Sequence, residues 1–401
     1  MKNKSVVFFV CMLMITTGVI PVSSTISQND EKKSSPLEIP DSHIIENVPY
    51  VSQGDTWYCA FAAATMIFQY YGINTSLFEV LFNSGVGYSA GYQITWPCVI
   101  SPGAFLCQIT KDRQFLADIY GLNFSYWYCN DESVSDENRW QMYWTNVKEN
   151  ISQNIPVIAG VMLEDLPYIP YEPGGHVILL VGFNEANNTV CLHDSYAGVV
   201  NKSINGDYIY LPIDVLKEST KSIDDRFYFE IFEKTSHTPK SKKEAFELAH
   251  SRNIQKMKGD AKVYPKFCWV PICGIHALIF FKHSNTIRNL PISNFIRKIN
   301  EDYDYLFVYE CNMLYLEKHN MSQYLIEHTD LYPNALHEAE LLDIEAKNWL
   351  FLDFKHMELQ STPIFRIPAK ILLLKEIRDI LDVIISIEKD IIAGSPSIVA
   401  S

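Results

Sequence analysis

The chain has 401 residues, of which 48% are hydrophobic and 20% are charged, and its formal net charge is −14. At about 150 residues per domain, this composition predicts two packed domains or three, and it excludes a chain that is disordered throughout. It also argues against a nucleic-acid partner, because binding to a phosphate backbone needs clustered Lys and Arg, and the sequence has no basic stripe.

Residues 1–24 have the pattern of a signal peptide. Lys2 and Lys4 precede an apolar run over 6–20, Pro21 ends that run, and small residues suited to cleavage follow. The run is shorter than the roughly 20 apolar residues of a membrane-spanning helix, so we expect cleavage and no stable membrane span afterwards. An uncleaved signal anchor is the alternative.

The expected location is therefore secreted or extracytoplasmic. Triplets of the N-x-S/T type agree with this expectation, because they accept N-glycans in exported proteins. Their asparagines are Asn74, Asn123, Asn150, Asn187, Asn201 and Asn320.

Nine cysteines are present, and one of them lies in the predicted signal peptide. In an oxidising compartment Cys98 and Cys107 are the preferred disulfide partners, with the connectivity left open by the sequence. No C-x-x-C pair exists, and the Cys273-x-x-His276 spacing has no second pair of ligands nearby. Neither a structural metal nor a cofactor is predicted.

After a polar leader over 25–46, residues 47–233 mix helical and strand patterns in one domain. An Ala-rich helix is expected over 59–71, with Gly72 as its C-terminal stop. The glycine-rich aromatic segment over 85–92 is interpreted as a loop.

Short β-branched or aromatic runs then predict an antiparallel sheet, with a hairpin turn at Asn187 and Asn188. A polar linker over 234–243 leads to helical periodicity over 244–394, and 395–401 form a tail. The expected architecture is α+β: a helix packed on an antiparallel sheet, followed by an α-helical domain. The strands are predicted at 157–163, 176–183, 189–194, 208–211 and 226–232, and further helices at 140–150 and 334–360.

Cys59 is the candidate nucleophile. A thiol reacts as its thiolate, and the N-terminus of a helix favours that negative charge. A histidine contributed by the sheet would accept the proton and hold the resulting ion pair. His176 suits this role because it follows Gly174 and Gly175 and opens an apolar strand.

Asp194 ends the neighbouring predicted strand, so the expected hairpin brings it close to His176. A carboxylate there orients the imidazole by accepting from one ring nitrogen. His193 competes as the base, but side chains alternate along a strand, so it should face away from Asp194. Asn184 is a weaker candidate for the orienting residue.

Gln53 lies shortly before the candidate nucleophile. Its amide N–H, together with the backbone N–H of Cys59, is suited to bind the oxyanion of a tetrahedral intermediate. The four predicted site residues are Gln53, Cys59, His176 and Asp194, and their chemistry requires no cofactor.

These residues resemble the motifs of the C39-like papain-fold cysteine peptidases. The resemblance implies a papain-like core, thiol-dependent hydrolysis and a peptide or amide substrate. It is carried by Val48-Pro-Tyr-Val-Ser-Gln53, Trp57-Tyr-Cys59, Tyr70-Tyr-Gly72, Gly175-His176-Val-Ile-Leu-Leu-Val-Gly182-Phe and Leu192-His-Asp194-Ser.

A narrower set of motifs is similar to the butirosin biosynthesis protein H-like proteins. That resemblance implies an acyltransferase that moves an acyl group from a thioester to an amine. The expected export favours water as the acceptor, since an exported protein seldom meets a cytoplasmic acyl carrier. The motifs are Phe82-Asn-Ser-Gly85-Val-Gly87-Tyr, Asp165-Leu-Pro167-Tyr and Gly174-Gly-His176, followed by a helical domain.

A non-enzymatic binding module is the third interpretation. Its ligand groove would be lined by the aromatic residues of 88–96 and 126–128.

Overall fold

A computed structural model describes residues 38–88, 90–95, 99–104, 109–129, 133–170, 174–221, 227–260, 272–273, 275–279, 282, 294–363 and 366–395. By its backbone contacts the chain divides into two compact units. Within the described residues, unit 1 comprises 38–80 and 116–239, and unit 2 comprises 81–115 and 240–395.

Strands and helices alternate up to about residue 234, and long helices follow. The strands are β1 Ser42–Ile44, β2 Ala90–Thr95, β3 Val99–Ala104, β4 Leu122–Tyr128, β5 Val157–Met162, β6 Gly175–Asn184, β7 Thr189–His193, β8 Ile209–Pro212, β9 Tyr228–Lys234 and β10 Ile272–Cys273. The helices are α1 Cys59–Tyr70, α2 Leu77–Ser84, α3 Ile109–Tyr120, α4 Asp136–Ser152, α5 Ala197–Val200, α6 Ile213–Lys221, α7 Lys242–Lys258, α8 Asn294–Glu327, α9 Ala335–Ser361 and α10 Ile367–Gly394.

Unit 1 is built on a seven-stranded antiparallel sheet. Its strand order is β4-β9-β5-β6-β7-β8, and β1 pairs with β6. Strand β5 is buried along its whole length, as expected for a central strand covered on both faces. Strands β6 and β7 form a hairpin in which Asn188 takes a positive φ of 51°, a conformation that asparagine tolerates well.

Helix α1 packs on β5 and β6. Alanine favours a helix, and small side chains let the helix approach the sheet closely. Residues 60–68 are buried, and Gly72 follows the helix at a φ of +84°. That left-handed conformation is the reason why a glycine ends the helix.

Unit 2 combines helices α7–α10 with a small antiparallel sheet of order β10-β2-β3. Helix α7 begins with a complete capping box between Ser241 and Glu244 and ends at Gly259, which has a left-handed φ of 83°. None of the helices in the described part of the chain combines the length and the apolar character that crossing a membrane requires.

A buried charge cluster joins three helices of unit 2. Lys318 of α8 lies 2.7 Å from Glu345 of α9 and 3.0 Å from Glu388 of α10, measured between Nζ and a carboxylate oxygen. All three side chains are almost fully shielded from solvent. Burial raises the pKa of Glu388 to about 8, against the opposing charge of Lys318.

The predicted α+β fold class is confirmed: a helix packs on an antiparallel sheet, and a helical region follows. The hairpin at Asn187 and Asn188 is also confirmed. The predicted loop over 85–92 is wrong from Ala90 onward, because β2 pairs there with β3 and β10. Segment 81–115 groups with the C-terminal helices, so unit 1 is discontinuous, whereas the predicted domain over 47–233 was continuous.

The predicted signal peptide over 1–24, the pairing of Cys98 with Cys107 and most of the predicted tail over 395–401 lie outside the described residues. The predicted flexible leader over 25–46 is described only from residue 38, and there the expectation of a flexible segment is wrong, because β1 pairs with β6. The predicted linker, by contrast, is described in full. Its Thr235 belongs to unit 1, where it donates a hydrogen bond to the carbonyl of Gly121 at 2.8 Å, and helix α7 already begins at Lys242.

Replacing Lys318 with Met should destabilise unit 2 by about 3–5 kcal/mol above pH 8, because the buried carboxylate of Glu388 then lacks its cation. The loss should shrink as the pH falls below 8, since protonation neutralises Glu388. Hydrogen exchange of α8, α9 and α10, measured by mass spectrometry at two pH values, reports this change.

Lys347→Met is the matched control. Lys347 pairs with Asp343 at the surface, where solvent screens the charges, so no measurable loss is expected. Equal protection of α8–α10 in the two variants would contradict the assignment of the Lys318 cluster as a stabilising element.

Candidate functional site

Cys59 is the first residue of α1 and carries a free, partly exposed thiol. Its predecessor Tyr58 makes no side-chain hydrogen bond to cap the helix. The N–H groups of a first helical turn have no partners within the helix, and their partial positive charge favours an anion. The rest of the helix is anchored in the core, so the thiol is presented from a fixed support.

His176 is the second residue of β6, and Asp194 directly follows β7. The hairpin register pairs Leu179 with His193. This register brings His176 and Asp194 to the same end of the ladder. Nε2 of His176 lies 2.8 Å from Oδ1 of Asp194. The predicted proximity of the two side chains is present.

The second nitrogen of His176 is available to the thiol. Cys59 lies close enough to raise the pKa of His176, and since Nε2 contacts Asp194, Nδ1 is the nitrogen left for the sulfur. Burial alone would lower the pKa of His176, but the charge and hydrogen bond of Asp194, with a smaller contribution from Cys59, raise it to about 10. At neutral pH the imidazole is therefore held as a cation beside the sulfur.

The carboxylate of Asp194 is fully buried and is held by several donors. Oδ1 also accepts the backbone N–H of Tyr196 at 2.9 Å, and Oδ2 accepts the hydroxyl of Tyr168 at 3.0 Å. Burial alone would raise the pKa of Asp194, but the charge of His176 and these hydrogen bonds lower it. The carboxylate therefore stays ionised.

Gln53 is buried, and its amide is fixed at both ends. Ser195 donates from its hydroxyl to Gln53 Oε1 at 2.7 Å, and Gln53 Nε2 donates to the carbonyl of Thr56. The backbone N–H of Gln53 also donates to the Ser195 carbonyl at 3.1 Å. Because an amide nitrogen carries two hydrogens, one N–H of Gln53 is left for a ligand.

Three residues around the site were not predicted from the sequence: Tyr168, Ser195 and Tyr196. Ser195 and Tyr196 follow Asp194 directly, so their proximity was available from the chain order. Tyr168 belongs to the segment Asp165-Leu-Pro167-Tyr, which was noted only for its resemblance to a family. Its distance from Asp194 along the chain gave no signal of contact.

The two competing residues lie outside the site. His193, the last residue of β7, is buried among aromatic side chains. Its ring contacts the rings of Tyr208 and Tyr50, with centroid distances of 4.5 and 6.2 Å. Its predicted orientation away from Asp194 is confirmed. Asn184 accepts the backbone N–H of Asn187 in the hairpin turn, and so serves the turn.

The aromatic residues proposed to line a ligand groove are only partly described. Tyr88 was wrongly expected there: it is fully buried in unit 2, where its hydroxyl donates to Glu338 at 2.6 Å. Tyr126 and Tyr128 stack on each other, with ring centroids 5.7 Å apart, on the edge strand β4. The side chains of 89–96 lie outside the described residues.

No group of three or more His, Cys, Asp or Glu side chains among the residues that the structure describes is arranged to hold a metal ion. The candidate site itself consists of a thiol, an imidazole, a carboxylate and an amide.

Residues 45–210 match the model of the Peptidase_C39 like family. The match contains all four predicted site residues and ends within β8. It supports a cysteine peptidase-like enzyme. No curated protein matches the chain.

Unit 1 should lose stability on acidification because of His193. Burial lowers the pKa of His193 to about 4. The charge of Asp207 and a hydrogen bond to the backbone of Pro49 raise the pKa, but their effects are smaller than that of burial. In the unfolded chain the pKa is about 6.5, so between pH 6.5 and 4 the unfolded state takes up the proton first. The free energy of unfolding should therefore fall by up to about 3 kcal/mol over that window.

Urea unfolding at several pH values checks this expectation in the wild type and in His193→Gln. The variant should show a smaller dependence on pH, whatever its absolute stability. His43→Gln, which replaces a less buried histidine of unit 1, should keep the wild-type dependence. Parallel curves for wild type and His193→Gln would contradict the expected role of His193.

Proposed function

We propose that the chain is a cysteine peptidase-like hydrolase that cleaves peptide or amide bonds through a covalent acyl-enzyme on Cys59. One observation carries the proposal: an imidazole whose Nε2 lies 2.8 Å from a buried carboxylate stands near a thiol at a helix start, and that thiol contributes to its raised pKa. This is the arrangement that activates a sulfur nucleophile.

Acylation follows from the positions of these groups. The Cys59 thiolate attacks the substrate carbonyl carbon, and the carbonyl oxygen becomes an oxyanion. The free N–H of the Gln53 amide and the backbone N–H of Cys59 stabilise that oxyanion. The His176 imidazolium then donates its Nδ1 proton to the leaving nitrogen as the carbon–nitrogen bond breaks.

Deacylation uses the same groups in reverse. Neutral His176 accepts a proton from water, and the resulting hydroxide attacks the thioester carbonyl. Collapse of the second oxyanion releases the acid and returns the thiolate and imidazolium. Asp194 keeps the imidazole in one orientation through both halves of the reaction.

Alkylation of Cys59 by iodoacetamide tests the activation step. At pH 7 an ordinary thiol is only a few per cent thiolate, so His176→Ala should slow alkylation about tenfold or more. Mass spectrometry of the Cys59 peptide, followed over time, gives the rate.

His43→Ala serves as the matched histidine control and should alkylate at the wild-type rate. If wild type and His176→Ala react equally slowly, the thiol is not activated, and a binding module becomes the better description.

The acceptor is water in this proposal. A peptide library incubated with the wild type and with Cys59→Ala should give cleavage in the first sample only. Product that forms only when an amine is added, and rises with its concentration, would point instead to an acyltransferase acting on an amide or thioester substrate.

Export is part of the proposal, and it rests on the charged and apolar pattern of residues 1–24. A secreted or extracytoplasmic enzyme would meet peptides and water rather than a cytoplasmic thioester carrier. When the full chain is expressed in a secreting host, the protein should be found in the culture medium, with its N-terminus near residue 25. Retention of the intact N-terminus in the membrane fraction would indicate a signal anchor.

A further inference from the structure

The second oxygen of the Asp194 carboxylate is held by a tyrosine. Tyr168 donates its hydroxyl hydrogen to Oδ2 at 3.0 Å, while His176 and the backbone N–H of Tyr196 occupy Oδ1. Asp194 is fully buried, so its donors come from the protein. The Tyr168 hydroxyl therefore fixes which oxygen faces the imidazole.

The phenol is a permanent donor in this contact. Burial and the neighbouring charge of Asp194 raise the pKa of Tyr168 far above its usual value. The hydroxyl accordingly keeps its proton across the pH range in which the enzyme would work. An ionised carboxylate only accepts hydrogen bonds and cannot donate one, so Tyr168 is always the donor in this contact.

The backbone that carries Tyr168 is also held. Tyr168 lies in the connection between β5 and β6, and its carbonyl accepts from the side-chain amide of Asn201 at 3.3 Å. Its neighbour Ile169 is buried and donates its N–H to the carbonyl of Leu166 at 3.1 Å. The phenol therefore approaches Asp194 from a supported segment.

We propose that Tyr168 is a positioning residue for the catalytic pair: it fixes the rotation of the Asp194 carboxylate and through it the orientation of His176. The inference rests on the proposed function, in which His176 activates Cys59. Without the hydroxyl, the carboxylate can turn about its Cβ–Cγ bond and holds the imidazolium less firmly. Cys59 should then react more slowly with an alkylating agent, because the imidazolium near its sulfur is less well positioned.

Tyr168→Phe removes the hydroxyl and keeps the ring. Alkylation of Cys59 by iodoacetamide at pH 7 should slow about tenfold, which is the scale of one hydrogen bond to a charged group. The acidic limb of the alkylation rate against pH should move to higher pH. A tyrosine that only fills space would leave the position of this limb unchanged.

A double-mutant cycle with Asp194→Asn gives the decisive comparison. Because the effect of Tyr168 acts through the carboxylate, Tyr168→Phe should have little further effect in the Asp194→Asn background. Tyr50→Phe is the matched control: its hydroxyl donates to the backbone carbonyl of Asp194 at 3.2 Å, which the asparagine variant retains. Its effect should be the same in both backgrounds.

Two results would overturn the inference while leaving the proposed function intact. One is a Tyr168→Phe profile identical to the wild type, and the other is an equal slowing in both backgrounds. Either result counts only if the Cys59 thiol of the wild type reacts faster than that of His176→Ala. If these two proteins react at the same rate, the proposed function is contradicted, and this inference falls with it.

Discussion

The site depends on one buried ion pair, that of His176 with Asp194. Removing a carboxylate from water costs several kcal/mol unless charge and hydrogen bonds replace its hydration. Here the imidazolium, the backbone of Tyr196 and the hydroxyl of Tyr168 provide that replacement. The pair is thus stable in the interior of unit 1 only because these donors are in place, and it keeps an imidazolium near Cys59.

The backbone around Asp194 is shaped to permit this burial. The N–H of Asp194 donates to the carbonyl of Gly206 at 2.7 Å, and its own carbonyl accepts from Tyr50. Gly206 has a φ of +91°, and a side chain there would collide with the Tyr50 hydroxyl and with the Asp194 carbonyl, 2.6 Å from the added Cβ. The glycine at position 206 therefore allows its own backbone and the Tyr50 hydroxyl to lie close to the backbone of Asp194.

The proximity of His176 and Asp194 was easier to predict from the sequence than the strands of unit 2. Each of the two residues marks the end of a periodic segment, and an antiparallel hairpin has few possible registers. Tyr168 could not be found, since nothing local in its segment indicates a contact with Asp194. The same limit applies to β2, whose strand character depends on pairing with β3 and β10 rather than on its own glycine-rich residues.

The motif in segment 82–88 has a structural role in unit 2, since its glycine and tyrosine make packing contacts there. Gly87 has a positive φ of 80°, its N–H donates to the buried carboxylate of Glu317 at 3.4 Å, and an added Cβ would lie 2.9 Å from the backbone of that residue. The hydroxyl of Tyr88 is bonded to Glu338. These contacts account for the glycine and the tyrosine by packing within unit 2. The resemblance of this segment to acyltransferase-related proteins therefore does not by itself specify an amine acceptor. The chemistry must be argued from Cys59 and the nearby His176, an imidazole that can equally activate water.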